Sequence, residues 1–412
     1  MRRQWPSPTF LKETLRAPRP TRHRDRIDRA ASIEDLRAIA RRRVPTVAYD
    51  YMDGAAGSEA SLVRARQAFR DIHFHPRVLR DVSSVDLSTT VGGALSALPF
   101  GIAPIGLTRL LHHEGEVAGM RAAAAAGIPF ALSTMSSVSL EDVAAAAPSG
   151  RRWFQLYLWK DRAASIELMT RAAEHGYDTL LLAVDTPVGG HRLRDTRNGM
   201  TIPPSFGLRD AARVATRPTW LANFLTTPPP AFASLSSFPG SVGDLITEMF
   251  DASLTFDDLA WLRSVWQGRL LVKGLQDPVD ARRAVDLGAD GVVVSSHGGR
   301  QLDRTTAPLR QVPEVRRVLA GRDAELVVDS GVMCGADIVA ALALGADFVL
   351  VGRAYLYGLM AGGEYGARRA LRLLEEDIRR TLQLLGVASV ADLAPELVSF
   401  GPTGPTGSTG GQ

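Results

Sequence analysis

The stretch "DLGADGVVVSSHGGRQLD" (residues 286–303) contains the unit from which we predict the fold. A helix-period segment ends at Gly288, a short Ala-Asp turn follows, and an apolar strand-like run leads to a polar tip. "ALGADFVLVGR" (343–353) repeats the same order. A glycine pair beside a histidine is useful at a strand end where the chain must bend tightly or let a ligand come close. The tip by itself is compatible with a functional loop or with a plain strand-to-loop exit that contains an incidental histidine, and the rest of the chain decides between them.

Eight such apolar runs alternate with amphipathic helical segments. They are "LPFGIAPIG" (98–106), "PFALSTM" (129–135), "RWFQLYLW" (152–159), "TLLLAVDTP" (179–187), "RLLVKGL" (269–275), "DGVVVSSHGG" (290–299), "ELVVDSG" (325–331) and "DFVLVGR" (347–353). Continuously apolar strands separated by helices predict a parallel sheet covered by helices. Eight β/α units predict an α/β fold of the (β/α)8 TIM-barrel type. A doubly wound open sheet is the alternative, although no glycine-rich dinucleotide fingerprint follows the first strand.

Three segments lie outside this repeat. Residues 1–95 form an N-terminal, largely helical extension, and residues 96–395 form the barrel. Residues 196–255 are a long insertion after strand 4, rich in Pro, Ser and aromatic residues, which we interpret as a lid or binding surface. Residues 396–412 are predicted to be a disordered tail because "GPTGPTGSTGGQ" is of low complexity.

Composition narrows the class of protein. The chain has 412 residues, 45% of them hydrophobic, and a formal net charge of +4. No apolar run approaches the ~18 residues of a membrane-spanning helix. The single cysteine, Cys334, excludes a disulfide framework and a cysteine-based zinc site, which favours a cytoplasmic location. We interpret the arginine-rich start as an extension on its own domain rather than a nucleic-acid or membrane contact.

The strand tips carry chemically active side chains, and a barrel brings these tips to one face. His297 with a carboxylate such as Asp185 can act as a general base. Arg300, three residues further on, can bind a substrate carboxylate with two hydrogen bonds. The glycine-bearing tips "DSG" and "VGR" are suited to a phosphate group, with Arg353 adding charge. These residues together predict an enzyme with a phosphorylated cofactor or substrate.

Six motifs together resemble the FMN-dependent L-2-hydroxy acid dehydrogenase and oxidase family. They are "YDYMDGAAGSEASL", "APIGLTRLLHHEGE", "FQLYLWKD", "AVDTPVGGHRLRD", "LVKG" and "SSHGGRQLD". The resemblance runs from about residue 32 to about residue 395, and "HHEGE", "LSTM" and "RNGMTIPP" resemble the bacterial L-lactate dehydrogenase branch. It implies oxidation of a small L-2-hydroxy acid, such as L-lactate, with FMN as cofactor and no metal.

The resemblance also implies roles for individual residues. His297 would be the base, Asp185 its carboxylate partner, and Tyr157 a further catalytic group. Tyr51, Tyr157, Arg192 and Arg300 would bind the substrate. FMN would be held by Pro104, Ile105, Gly106, Ser133, Gln155, Ala183, Lys273, Ser295, Asp329, Ser330, Gly331, Val332, Met333, Gly352 and Arg353.

Three positions depart from the plant glycolate oxidases of this family. Those enzymes have Thr, Trp and Arg where this chain has Ala183, Met135 and Met333. Met135 makes the substrate wall more flexible. Met333 removes a guanidinium from the phosphate side, which leaves Arg353 more of that role.

The electron acceptor is predicted to be external, because the chain has no haem-attachment motif and no nicotinamide fingerprint. Gly106 resembles dehydrogenase-type members, whereas several oxidases have alanine there, which favours a quinone or redox protein over oxygen. A peroxide-producing oxidase, a mandelate-type dehydrogenase, an isoprenoid diphosphate isomerase of type 2 and a flavin-binding sensor remain alternatives. A homo-oligomer, a tetramer in the resembled family, and a peripheral membrane contact through the insertion are further expectations.

Overall fold

A closed parallel barrel forms the centre of the computed structural model, which describes residues 23–200, 214–228, 230, 232–233 and 250–401. Each strand pairs with the next along the chain, and the last pairs with the first. The strands are β1 (Phe100–Ile102), β2 (Phe130–Ser133), β3 (Arg152–Leu156), β4 (Tyr177–Ala183), β5 (Arg269–Leu275), β6 (Gly291–Val294), β7 (Glu325–Val328) and β8 (Phe348–Val351). The predicted (β/α)8 barrel is confirmed.

Helices surround the barrel and precede it. They are α1 (His23–Asp28), α2 (Ile33–Arg43), α3 (Thr46–Asp53), α4 (Ala60–Arg70), α5 (Gly115–Ala126), α6 (Leu140–Ala146), α7 (Arg162–Glu174), α8 (Leu193–Arg197), α9 (Pro218–Thr226), α10 (Phe256–Val265), α11 (Pro278–Asp286), α12 (Pro308–Val318), α13 (Gly335–Ala343) and α14 (Arg353–Leu385).

The barrel interior is filled by side chains rather than by a channel. Trp153 from β3 and Phe348 from β8 are both fully buried there, with ring centroids 5.9 Å apart. A hairpin of the strands Thr89–Val91 and Ala94–Ser96 adds the buried Val91 to the same cluster. The amino-terminal face is thereby closed, which leaves the carboxyl-terminal face for ligands.

The N-terminal extension reaches that open face. Ser32 and Asp35 form a capping box that starts α2, and α3 follows after Pro45. Helix α3 ends at Gly54, and the chain then crosses beside the loop after β6, where the N–H of Ala56 donates to Gly299 O at 2.8 Å. The residues between α3 and α4 therefore belong to the site, although they precede the barrel.

The C-terminal boundary differs from the prediction. Val398–Phe400 forms a strand that pairs antiparallel with Ile72–Phe74, so the predicted disorder from residue 396 is wrong for residues 396–401. Val398 is buried in this pairing, and the burial stabilises the end of the chain. Residues 402–412 and the arginine-rich residues 1–22 lie outside the described residues.

The insertion after β4 is described only in part. Its helix α9 packs onto the loop after β1, where Trp220 Nε1 donates to Leu110 O at 2.9 Å and the Trp220 ring stacks on Phe224 with centroids 4.8 Å apart. Trp220 and Phe232 are buried. These two aromatic side chains of the insertion therefore pack against the protein. Within the described ranges, no helix has the length and apolarity needed to cross a bilayer.

Candidate active site

A cavity of about 610 Å³ opens where the strand ends meet the N-terminal extension. Most of the residues predicted to bind cofactor or substrate line it. They are Tyr51, Pro104, Ile105, Gly106, Ser133, Tyr157, Arg192, Lys273, His297, Arg300, Asp329, Ser330, Gly331, Val332, Met333, Gly352 and Arg353. The structure therefore brings these predicted residues together around one cavity.

Four predicted residues are not in the wall of this cavity. Asp185 and Ser295 lie directly behind it, bonded to the lining residues His297 and Lys273. Gln155 lies behind Ser133, whose hydroxyl donates to Gln155 Oε1 at 2.8 Å. Ala183 instead lines a separate cavity of about 210 Å³ on the other side of Tyr157. We therefore place Ala183 outside the main site.

His297 is held in an unusual backbone conformation. Its φ is 55°, and Gly298 and Gly299 follow at 66° and 76°. Two of these three left-handed residues are glycines, which adopt positive φ without a steric cost. The N–H of His297 donates to Ser295 Oγ at 2.9 Å, and the N–H of Gly298 donates to Ser330 Oγ at 3.0 Å. These bonds aim the imidazole into the cavity.

The carboxylate of Asp185 lies beside the imidazole. His297 Nδ1 is 3.1 Å from Asp185 Oδ1 and 3.2 Å from Oδ2. Burial raises the pKa of Asp185, but the neighbouring His297 and then Lys273 lower it by more, so the net shift is downwards. The carboxylate is therefore ionised and can only accept hydrogen bonds. His297 Nδ1 therefore carries a proton, which leaves Nε2 as the basic nitrogen.

Gly274 makes room for that carboxylate, a role the sequence analysis missed. Its φ is 104°, and a Cβ on it would lie 2.5 Å from Asp185 Cγ. The β5–β6 register also shifts between Lys273 and Leu275. The glycine in "LVKG" was the available signal, since glycine within a strand marks a bulge or a close approach.

Two arginines form the cationic end of the site. Arg300 Nη1 donates to the carbonyls of Tyr51 and Gly54, and the guanidinium lies over the Tyr51 ring at 5.0 Å. Burial, and then repulsion from Arg192, lower the pKa of Arg300 to about 10. Among the described residues, the side chain of Arg192 forms one ion pair, in which Nη1 lies 3.9 Å from Asp195 Oδ2. Its buried Nε has no hydrogen-bond partner there. Such a pair favours an anionic ligand.

Two phenols complete the substrate end. Tyr51 and Tyr157 are buried at 6% exposure each, and Phe250 meets Tyr157 edge-on with centroids 5.6 Å apart. Burial, and then the charge on Asp185, raise the pKa of Tyr157 well above its usual value. Tyr157 therefore remains a hydrogen-bond donor throughout the physiological range.

Lys273 supplies a buried positive charge at the centre of the barrel mouth. Its Nζ lies 3.4 Å from Asp329 Oδ2 and donates to Ser295 Oγ at 3.2 Å. Burial lowers the pKa of Lys273, but Asp329 and then Asp185 raise it by more, so the net shift is upwards. The side chain therefore stays a protonated ammonium. Asp329 also accepts from Ser330 Oγ at 2.7 Å, which connects the lysine to the His297 loop.

One buried donor next to Ser133 has no hydrogen-bond acceptor in the part of the chain that the structure describes. Gln155 Nε2 is buried and has no hydrogen-bond partner among the described residues, although its oxygen is bonded to Ser133. A buried amide N–H without a partner is costly. A planar ring carrying carbonyl oxygens would satisfy it, which fits the flavin predicted from the sequence.

Asp53 is a further residue that sequence reasoning missed. This buried carboxylate accepts from Tyr357 Oη at 2.7 Å, Tyr49 Oη at 3.1 Å and Arg37 at 2.8 Å, and it pairs with Arg194 at 3.1 Å. It thus joins α3, which carries Tyr51, to α8, which follows Arg192. Nothing in the local sequence pairs these distant residues, so the network could not be predicted.

Gln301 fixes the loop that carries Asp185 and Arg192. Its Nε2 donates to Asp185 O at 3.1 Å and to Val188 O at 3.0 Å, and its Oε1 accepts from the N–H of Gly190. The side chain follows directly after Arg300 in "HGGRQLD". Its place in that motif was the only signal available.

Known proteins resemble this chain over nearly its whole length. The model of the family described as FMN-dependent dehydrogenase matches residues 40–400. A Mycobacterium tuberculosis protein named "Putative L-lactate dehydrogenase" is 56% identical over 91% of this chain and 90% of its own length. The L-lactate dehydrogenase of Caulobacter vibrioides is 42% identical over 88% of this chain and 96% of its own length.

The solved structures that resemble this chain agree in fold. The crystal structure of the monotopic membrane protein (S)-mandelate dehydrogenase superposes with a TM-score of 0.86 at 39% identity. It covers 90% of this chain and 100% of its own. A mandelate oxidase structure with (S)-2-phenylpropionate superposes with a TM-score of 0.77 at 37% identity, covering 90% of this chain and 99% of its own.

Proposed function

Because this chain belongs to the FMN-dependent dehydrogenase family, we propose that it oxidises a small L-2-hydroxy acid, with L-lactate as the first candidate, to the 2-oxo acid. The observation that carries this proposal is the pairing of His297 with Asp185 next to Arg192 and Arg300 in one cavity. A base beside two cations is what a substrate carrying both a hydroxyl and a carboxylate requires.

FMN fits the rest of the cavity. Lys273, Ser133 and the backbone from Pro104 to Gly106 would hold the ring, and the tips Asp329–Met333 and Gly352–Arg353 would hold the ribityl phosphate. When bound, FMN supplies the acceptor for the two electrons of the oxidation. The Lys273 ammonium would stabilise negative charge that develops nearby.

Arg300 and Arg192 would orient the substrate through its carboxylate. Arg300 is already fixed by two backbone carbonyls and by the Tyr51 ring, so little conformational entropy is lost when it binds an anion. A carboxylate held there would place the adjacent hydroxyl carbon towards the imidazole. Tyr157 would donate a hydrogen bond to the substrate oxygen.

His297 would take one proton from the substrate at Nε2. Asp185 would keep the other ring nitrogen protonated and stabilise the imidazolium that forms, as the 3.1 Å contact allows. The oxidation balances because the substrate loses one hydrogen from its C–H bond and one from its O–H bond: one leaves as the proton taken by His297, and the other proton and the two electrons would go to the flavin, so that the carbon becomes a carbonyl. A general base of this kind contributes about 10²- to 10⁴-fold to the rate.

A mandelate-type dehydrogenase is the second candidate. The lining of the cavity includes Met135 and Phe250, and methionine adapts to side chains of different shape. The structural likeness to (S)-mandelate dehydrogenase points the same way. Steady-state assays with an artificial acceptor and L-lactate, D-lactate or (S)-mandelate test the assignment. The proposal expects L-lactate to exceed (S)-mandelate in kcat/KM and D-lactate to be inactive, while activity with D-lactate alone would refute it.

For the electron acceptor we favour a quinone or a redox protein. Gly106 suggested this choice, but a Cβ at Gly106 would also lie 2.7 Å from Met135 O, so local packing alone demands glycine here. The likeness to a monotopic membrane enzyme supports a peripheral membrane location. A membrane quinone as acceptor and the inner face of the membrane as location are the parts that we add to this proposal. A homo-oligomer is part of the same proposal.

The acceptor is tested by reoxidation of the reduced enzyme. The enzyme is first reduced anaerobically with L-lactate and then mixed with either a quinone analogue or air-saturated buffer. We expect the quinone analogue to react much faster. Reoxidation by oxygen at the rate of steady-state turnover, with stoichiometric peroxide, would instead identify an oxidase.

A further inference from the structure

The loop after β7 presents a methionine, Met333, to the end of the cavity that would hold the phosphate. Met333 lies in the loop after β7 and lines the cavity, and its side chain carries no charge. A phosphate dianion is bound most strongly where backbone N–H groups are joined by a guanidinium. The phosphate would therefore be bound either by an arginine outside this loop or by backbone N–H groups alone.

Arg353 is committed to other partners. Its Nε donates to Met52 O at 3.0 Å, its Nη1 to Gly298 O at 2.9 Å and its Nη2 to Gly54 O at 2.7 Å. Every guanidinium nitrogen thus has a carbonyl partner. This side chain joins the end of α3 to the His297 loop, so it can offer a phosphate only the two N–H groups that these three bonds leave.

Arg66 on α4 lies at the same loop. Gly331 has a φ of 95°, and a Cβ on it would lie 2.9 Å from Ala65 O, so the helix backbone packs directly against the tip of β7. Arg66 lines the cavity, with its side chain 25% exposed. Its backbone therefore belongs to the N-terminal extension, while its side chain reaches the barrel.

The hydrogen bonds of Arg66 leave part of the guanidinium available. Nη1 donates to Gly331 O and to Asp337 Oδ2. Nε and Nη2 make no hydrogen bond within the part of the chain that the structure describes. The same Asp337 oxygen accepts from the N–H of Met333 at 2.7 Å and of Cys334 at 3.2 Å. One carboxylate thus holds both the arginine and the loop in place.

We propose that Arg66 provides a guanidinium that binds the FMN phosphate, beside a loop that carries the uncharged Met333. Because Nη1 is fixed by Gly331 and Asp337, the N–H groups of Nε and Nη2 would be the ones that donate to the phosphate. This proposal rests on the assignment of the cavity to FMN, but it does not depend on which acid is oxidised.

The test compares FMN with riboflavin, which has the same ring and ribityl chain but no phosphate. The full-length protein is stripped of flavin, and the Kd of each flavin is measured by the quenching of its fluorescence. The variants are Arg66→Gln, Met333→Arg and the two combined. Arg70→Gln is the matched control, because Arg70 is an exposed arginine in the last turn of the same helix.

The expected result is a selective loss. Arg66→Gln should raise the Kd for FMN ~10- to 100-fold, the size of one charge-assisted hydrogen bond, and leave the Kd for riboflavin nearly unchanged. Met333→Arg in the Arg66→Gln background should restore most of the FMN affinity. Arg70→Gln should behave as wild type with both flavins.

Three results would overturn the proposal. If Arg66→Gln weakens FMN and riboflavin equally and Met333→Arg does not rescue it, Arg66 only supports the loop. If FMN affinity is unchanged, Arg66 does not contact the phosphate. A wild-type protein that binds FMN no better than riboflavin would overturn both this inference and the cofactor assignment, whereas failure with hydroxy acids alone would affect only the proposed substrate.

Discussion

Replacing Asp185 with asparagine tests the basis of the proposed catalysis. The substitution preserves size but removes the negative charge 3.1 Å from His297 Nδ1. An amide can also donate to Nδ1 and so move the ring proton to Nε2, where it would block proton abstraction. Asp185→Asn should therefore slow the chemical step with little effect on folding.

The magnitude follows from the distance. Unit charges 3.1 Å apart attract by about 5 kcal/mol at an effective dielectric constant of about 20. The amide retains part of the hydrogen bonding, so we expect a loss of about 2–4 kcal/mol, which corresponds to about 30- to 1000-fold in the rate of flavin reduction.

The assay is stopped-flow reduction of the flavin by saturating L-lactate without oxygen. Asp290→Asn is the control, since Asp290 pairs with Arg263 and Arg269 at the other end of β6. Its rate of flavin reduction should match wild type. An Asp185→Asn enzyme that reduces its flavin within threefold of wild type would refute the reasoning.

Three further substitutions address the remaining groups. His297→Gln should retain FMN but lose at least ~10²-fold in kcat, the usual size of one general-base contribution; turnover within a few-fold of wild type would contradict its assignment. Arg300→Lys keeps the charge but loses the planar fork, so KM for L-lactate should rise and kcat should fall, and unchanged kinetics would remove Arg300 from the carboxylate site. Because burial and then Asp185 raise the pKa of Tyr157, its hydroxyl stays protonated near pH 10. The loss caused by Tyr157→Phe should therefore be the same at pH 7 and pH 9.5, and a loss that disappears at the higher pH would show that Tyr157 ionises.

The sequence predicted the barrel because its signal is local. Each apolar run, such as Val292–Val294, is followed by a helix-period segment, and eight parallel units have one common way to close. The residues at the strand tips could be predicted to share one site, because all parallel strands of a barrel end at the same face. His297, Arg300 and Lys273 needed only that rule.

Contacts between side chains that lie far apart in the chain could not be predicted from the sequence. Arg66 reaches the β7 tip because α4 packs on Gly331, and Asp53 joins three helices through side chains far apart in the chain. Neither contact has a periodic pattern. The order of residues 396–401 was missed because three residues form a strand only with their partner at Ile72–Phe74.

The reduction of the bound flavin by one equivalent of L-lactate tests the central claim most directly. The purified full-length enzyme is mixed anaerobically with L-lactate, and the visible absorption of the flavin and the pyruvate formed are measured together. We predict that the absorption is lost and that one pyruvate appears for each flavin reduced, while D-lactate leaves the spectrum unchanged. A flavin that is reduced by neither L-lactate nor (S)-mandelate would contradict the assignment of this site to L-2-hydroxy acids.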